Sequence, residues 1–215
     1  MTYQVHYPDW DCPKKKKARL NTIINIYQET MGIKQIPVDQ QYWTFSGSYV
    51  GHNGMPIKGE FHQLEDYGLL LKNQFYAVDI DNKVVENNKK IYPELNFIHG
   101  DFLSVMKEYA IKNNFSPAII NCDNVRMVDF GVKYLISLLM FLEENSKNNV
   151  LVIANIMLNH PYRKSEIVKP QDVVDELLKN YYIGDSWDIL PAVYVYDGTG
   201  KKSQTKMGSL VLLKK

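Results

Sequence analysis

Two aspartates in the first half of the chain, Asp79 and Asp101, each follow a short apolar run, with one helical stretch between them. The segment Gln74 to Phe102, QFYAVDIDNKVVENNKKIYPELNFIHGDF, predicts strand, helix and strand. Phe75–Val78 is apolar and stops at Asp79, Asn82–Ile91 is helical until Pro93 ends it, and Phe97–His99 leads into Gly100-Asp101-Phe102. Ligands of open parallel sheets sit outside the carboxyl ends of the strands, so both carboxylates are expected to face one crevice. There Asp79 can accept both ribose hydroxyl protons and Asp101 can accept from an exocyclic amine, with Gly100 keeping the turn open. Such a pair suits an adenosine. Either aspartate alone is equally an ordinary helix cap or turn former, and only their order within one βαβ unit carries the chemistry.

The neighbouring elements must position this pair. Pro13, the basic run Lys14 to Arg19, and then Leu20, Ile23, Ile24, Tyr27 and Met31 predict an amphipathic helix closed by Gly32. Tyr42–Phe45 is a first strand ended by Ser46-Gly47-Ser48. A polar loop from Tyr49 to Gly59 precedes a helix from Glu60 to about Leu71, with Phe61, Leu64 and Leu69 expected to face the sheet. Beyond Asp101 come a helix at Leu103–Ile111, a buried strand at Ala118–Asp123, a long helix at Val132–Glu143, and a strand at Val150–Ala154 ending at Asn155. Apolar runs without alternation are what central parallel strands need. A helix at Val173–Tyr181 follows, and Ala192–Tyr196 is expected to form a hairpin with Ser209–Leu213.

VDID at Val78–Asp81 followed by a helix, then HGDF at His99–Phe102, resembles the second and third signature segments of class I S-adenosylmethionine-dependent methyltransferases. The resemblance covers about residues 40–215. It implies an α/β three-layer sandwich, a Rossmann-like doubly wound, mostly parallel seven-stranded sheet with an antiparallel C-terminal strand. Residues 1–40 would be a helical extension and 41–215 the Rossmann-like core of a single domain. It assigns the ribose to Asp79 and the adenine to Asp101, with Phe102 beside it. Gly47 would approach the methionine and ribose parts of S-adenosyl-L-methionine, and Glu60 would meet the amino group. The family usually carries G-x-G-x-G after its first strand, and this chain has only Ser46-Gly47-Ser48, with Gly51, Gly54 and Gly59 in an insertion. The fourth strand ends Asn121-Cys122-Asp123-Asn124-Val125-Arg126 and lacks the Pro-Pro-aromatic of enzymes that methylate exocyclic base amines. Asp123 or Asn121 remains suited to orient a nucleophile or take its proton.

Composition bounds the rest. With 215 residues, 45% hydrophobic and 23% charged, the chain suits one large α/β domain. No apolar run reaches the roughly 18 residues of a membrane span and the amino terminus does not read as a secretory signal, so a soluble, cytoplasmic protein is expected. Cys12 and Cys122 have no disulfide or zinc spacing, and none of His52, His62, His99 and His160 pairs at metal-ligand spacing. His52 and His160 are the two expected on the cleft side, where either would serve as a general base. A net charge of +1 makes any polyanion site local. Lys201, Lys202 and Lys206 fall in the predicted final turn, and Arg163 and Lys164 in the loop after the fifth strand, next to Tyr162, which could stack a base. These five are the candidate contacts for a nucleic acid or other polyanion. The missing G-x-G-x-G leaves open a catalytically inactive, methyltransferase-like binding or accessory protein. A nicotinamide-dependent oxidoreductase also fits Asp79, though no G-x-G-x-x-G is present.

Overall fold

The computed structural model describes residues 23–50, 55–157, 175, 186–197 and 206–215, of which 123–131, 156–157, 191–197 and 206–209 by their backbone. Its strands are β1 (Gln41–Phe45), β2 (Phe75–Asp79), β3 (Asn96–His99), β4 (Pro117–Met127), β5 (Val150–Met157), β6 (Trp187–Asp197) and β7 (Lys206–Lys214). Its helices are α1 (23–31), α2 (Glu60–Asp66), α3 (Asn82–Ile91), α4 (Phe102–Lys112) and α5 (Val128–Asn145). The strands form one seven-stranded sheet in the order β3-β2-β1-β4-β5-β7-β6. β1 pairs with β4, β2 with β3 and β4 with β5, all parallel, while β7 lies antiparallel between β5 and β6. This is the α/β, mostly parallel sheet expected from the sequence. Contacts gather into two compact units, one of residues up to Asp39 with Phe45–Met106, the other of Gln40–Thr44 with Lys107–Lys215.

In the first unit, α3 packs on β2 and β3. Asp81 caps α3 by accepting from Lys83 N at 2.8 Å, and Lys89 and Lys90 lie in its last turn, where cations complement the helix dipole. α1 buries Ile23, Ile24 and Tyr27 and ends at Gly32, whose φ of +66° is the left-handed conformation that glycine adopts without strain. The second helix is shorter than its sequence predicts. It stops at Asp66, and Gly68, at φ +69°, turns the chain so that Leu69 and Leu70 are buried from outside the helix. Gly68 N donates to Glu65 O at 2.8 Å and Leu69 N to Leu64 O at 3.0 Å, a left-handed cap that periodicity alone does not show.

The second unit is built on β4 and β5. Ala118, Ile119, Ile120 and Cys122 of β4 and Val150 to Ala154 of β5 are all 2% exposed or less, as strands covered on both faces must be. α5 packs on both strands and buries Val132, Leu135, Leu138, Leu139 and Leu142, an i, i+3, i+4 stripe in which each aliphatic side chain contributes about 1.5–3 kcal/mol. β4 runs past the expected end at Asp123, because Asp123 and Asn124 stay in register with Asn155 and Ile156 of β5. The terminal hairpin forms as expected but is longer. Tyr194 pairs with Ser209 and Trp187 with Lys214, with an irregularity between Leu190 and Tyr194. The helix expected at Val173–Tyr181 lies outside the described residues apart from Asp175.

Two buried polar details have measurable consequences. Lys214, 8% exposed, donates from Nζ to Leu142 O at 3.0 Å and to Ser146 O, so a side chain of β7 caps the carbonyls at the end of α5. Lys214→Met, which keeps the stem and removes the donors, is expected to cost about 1–3 kcal/mol in denaturant unfolding. An unchanged midpoint would show that water replaces the ammonium without loss. Gly59 lies so close to Tyr49 that an added Cβ would stand 2.2 Å from the ring. Gly59→Ala should cost about 1–3 kcal/mol through overpacking, read from the same unfolding curves.

Candidate functional site

The carboxyl ends of β2 and β3 carry the first pair of site residues. Asp79 pairs in register with His99, and Gly100 N donates to Asp79 O at 2.9 Å, so the turn leading to Asp101 is tied to the residue that closes β2. Gly100 has φ +148°, and a Cβ there would stand 2.7 Å from Val105 Cγ2, so only glycine fits. Asp79 Oδ1 accepts from Asp81 N at 2.8 Å. Burial pushes its carboxyl above the usual carboxylate range, and the Asp81 amide counters part of that shift. Ile80, the next residue, is 73% exposed, an apolar face beside the carboxylate that the sequence pattern alone did not single out. His99 Nε2 stands 3.1 Å from Ile80 O and braces the same turn from β3.

Asp101 serves as a helix cap. Its Oδ1 accepts from Ser104 N and Ser104 Oγ, both at 3.0 Å, at the start of α4. Its Oδ2 takes no hydrogen bond among the described residues, so one oxygen holds the helix and the other is available to a ligand. Phe102 is 2% exposed and stacks on Phe45, with ring centroids 4.4 Å apart and planes at 15°. One ring face is therefore committed to the interior.

The turn after β1 is held from α3. Asn88, fully buried, donates from Nδ2 to Ser46 Oγ at 3.0 Å and to Gly47 O at 2.9 Å, and its Oδ1 accepts from Tyr49 N at 2.9 Å. Ser46 N donates to Val78 O at 2.7 Å, and Ser48 Oγ accepts from Val50 N at 3.1 Å. The amides of Gly47 and Ser48 find no acceptor among the described residues. Tyr49 carries the order onward, since its ring lies against Gly59 and its hydroxyl accepts from Phe61 N at 3.3 Å in the first turn of α2. Burial, with the Glu60 carboxylate adding to it, holds the Tyr49 hydroxyl far above its ordinary pKa, so it stays a neutral phenol. Glu60 itself is 3% exposed, in the first turn of α2. The sequence reading placed Gly47 and Glu60 here but missed Asn88. The signal available was a polar residue three positions after Val85, on the buried stripe of α3.

In the second unit, Asn121 is 1% exposed and its Oδ1 accepts from Asn155 Nδ2 at 3.4 Å across β4 and β5. Asp123 follows on the same strand, opposite Asn155. Lys206 opens β7 in register with Asp197 and so lies in the strand, not in the turn where the sequence reading put it. Met207 beside it pairs with Met157, which places Lys206 at the carboxyl end of β5. Lys201, Lys202, Arg163, Lys164, His52, His160 and Cys12 lie outside the described residues. His62 has its ring 4.5 Å from that of Tyr92, and burial lowers its pKa. Among the described residues, no group of three or more His, Cys, Asp or Glu is placed to hold a metal ion, and no helix is long and apolar enough to cross a membrane.

Neither a family model nor a curated protein matches the chain in sequence. Solved structures match it in three dimensions. The plantazolicin methyltransferase BamL, in complex with a triazolic desmethylPZN analog and SAH, is similar with a TM-score of 0.57 at 8% identity, over 95% of this chain and 86% of that one. An O-methyltransferase from Bacillus cereus in complex with SAH gives 0.55 at 10% identity, over 97% of this chain and 84% of that one. The O-methyltransferase TomG from Streptomyces achromogenes, involved in tomaymycin synthesis and solved with SAM, gives 0.52 at 10% identity, over 96% and 82%. At such identities the likeness is one of fold. With the sheet order β3-β2-β1-β4-β5-β7-β6 and β7 antiparallel between β5 and β6, the chain has the fold of the class I S-adenosylmethionine-dependent methyltransferases.

Proposed function

We propose that the protein is an S-adenosylmethionine-dependent methyltransferase. The observation that carries this reading is the pairing of β2 with β3, which sets Asp79 and Asp101 on adjacent strand ends joined by the Gly100–Asp79 hydrogen bond. The donor set fits the cofactor. A carboxylate suits a ribose diol, a capping aspartate with one spare oxygen suits an exocyclic amine, and unpaired amides at Gly47 and Ser48 suit an anionic carboxylate. Ile80 adds an apolar surface next to the ribose acceptor. Buried Glu60 would meet the cofactor's amino group, and Phe102 would serve by fixing the turn that carries Asp101.

When bound, the cofactor supplies a methyl group on a positively charged sulfur, a leaving centre that needs no protonation. The chain then has to align and desolvate a nucleophile. Asn121 and Asp123 are assigned to orient it, with Asp123 accepting its proton. Of the known alternatives, the accessory-protein reading predicts the same cofactor binding without transfer. A nicotinamide enzyme is disfavoured by the antiparallel β7 and by the absence of G-x-G-x-x-G.

Calorimetry should detect binding of S-adenosylmethionine or its demethylated product, with no comparable binding of NAD. Asp79→Asn should weaken it by about 1–3 kcal/mol through an unpaired ligand hydroxyl. Asp79 must be ionised to accept both hydroxyls, and burial raises its pKa. Affinity in the wild type should therefore fall with acidification through a midpoint above the ordinary value of about 3.9, and Asp79→Asn should flatten this dependence. Failure to bind either sulfur nucleoside at millimolar concentration would end the cofactor assignment.

For the acceptor we infer a nucleic acid or other polyanion, met by Lys201, Lys202, Lys206, Arg163 and Lys164. Its support is the basic sequence before β6 and between β6 and β7, and the position of Lys206 at the carboxyl end of β5. Labelled methyl should enter RNA or DNA in a transfer assay, with binding that weakens steeply as salt rises. Changing Lys201, Lys202 and Lys206 to Gln should reduce nucleic-acid binding and leave the nucleoside site unaffected. Label entering only small metabolites would discard the polyanion, and label entering nothing, with cofactor bound, would favour the accessory protein.

A further inference from the structure

The turn after β1 lacks the glycine-rich pattern that lets a backbone approach a cofactor closely, and yet it is tightly ordered by a side chain 40 residues away. Asn88 satisfies both donors of its amide and one acceptor site within that turn, at Ser46 Oγ, Gly47 O and Tyr49 N. A fully buried primary amide on the buried stripe of a helix is costly unless it is hydrogen-bonded, and here all its partners belong to one short segment. The distribution of donors inside that segment is informative. Ser46 N is taken by Val78 O, Tyr49 N by Asn88 and Val50 N by Ser48 Oγ, so the two consecutive amides left without an acceptor among the described residues are those of Gly47 and Ser48.

We infer that Asn88 is a positioning residue which clamps the Ser46–Tyr49 turn and so presents the Gly47 and Ser48 amides to the methionine carboxylate of the cofactor. The inference rests on the cofactor reading above and deepens it. It replaces the conformational freedom of glycine with a fixed side-chain scaffold. It also separates two parts of the ligand, since Asp79 serves the ribose while the turn held by Asn88 serves the amino-acid tail. Asn88 does not touch the ligand and acts through the turn. The Nδ2 donors matter most, because they hold the Gly47 carbonyl and with it the peptide that bears the Ser48 amide.

The test compares two probes, S-adenosylhomocysteine, which has the amino-acid tail, and 5′-methylthioadenosine, which lacks it. Asn88→Asp keeps the acceptor for Tyr49 N and removes both donors. Ser46→Ala removes one partner of the clamp and is the milder variant should the aspartate prevent folding. Each variant is first checked for a cooperative thermal transition. Asn88→Asp is expected to weaken S-adenosylhomocysteine at least tenfold and Ser46→Ala about threefold, while 5′-methylthioadenosine changes by less than twofold in both. Equal loss of the two nucleosides, or none, in the folded variants would overturn the role of Asn88 and leave the cofactor reading standing. Wild-type protein that binds neither nucleoside would overturn the cofactor reading, and the clamp with it.

Discussion

The buried amide of Asn88 is the constraint on which the rest of the first unit's site depends. Its Oδ1 fixes the backbone of Tyr49, the Tyr49 ring packs on Gly59, and the Tyr49 hydroxyl receives Phe61 N at the start of α2. Gly59 cannot cap α2 with a side chain, and the phenol supplies that acceptor from across the loop. A loss at Asn88 would therefore propagate through Tyr49 to the helix that carries Glu60. The aromatic neighbours make this path stiff, since Tyr49 meets Phe97 at 5.3 Å and Tyr92 at 5.8 Å between centroids, both edge-on.

Much of the architecture was legible because its signals are local. Phe75–Val78 followed by Asp79, the helix from Asn82 to Ile91 and the strand ending at His99 match the structure closely, because apolar runs bounded by Asp, Pro and Gly leave little choice of element. The antiparallel pairing of β6 with β7 was legible from the polar turn before the last apolar strand, and the insertion of β7 beside β6 came from the family resemblance. Errors fell where tertiary contact overrides local pattern. Gly68 ended α2 early through a left-handed cap, and β4 extended through Asp123 and Asn124 because β5 offered a partner strand. Lys206 looked like a turn residue and became the first residue of β7 for a related reason, the pairing with Asp197.

Asn88 was legible as a buried position and not as a partner. Its spacing from Val85 marks the buried stripe of α3, but its value comes from partners about 40 positions earlier that no periodicity argument reaches. Asp101 shows the opposite case, in which the cap that its place in the sequence suggests is formed and one oxygen is left over. One carboxylate oxygen caps α4, as the sequence of any helix start would suggest, and the other remains available. A residue that caps a helix is held in place by that duty, so the orientation of its second oxygen is fixed as well.

The two aspartates also differ in electrostatic setting. Asp79 is partly buried and its proton is held more tightly than usual, whereas Asp101 is exposed at the start of α4. A carboxylate already removed from some of its water loses less on meeting a ribose than a fully hydrated one would. Asp79 is further braced by Asp81 N and, through its carbonyl, by Gly100 N, so its ionised oxygens are oriented before any ligand arrives. α3 links the two halves of this arrangement. Asp81 caps its first turn two residues after Asp79, and Asn88 on the same helix holds the turn after β1. Asp79 and the amides of Gly47 and Ser48 thus hang on one ten-residue helix, which fixes their separation without any glycine-rich sequence.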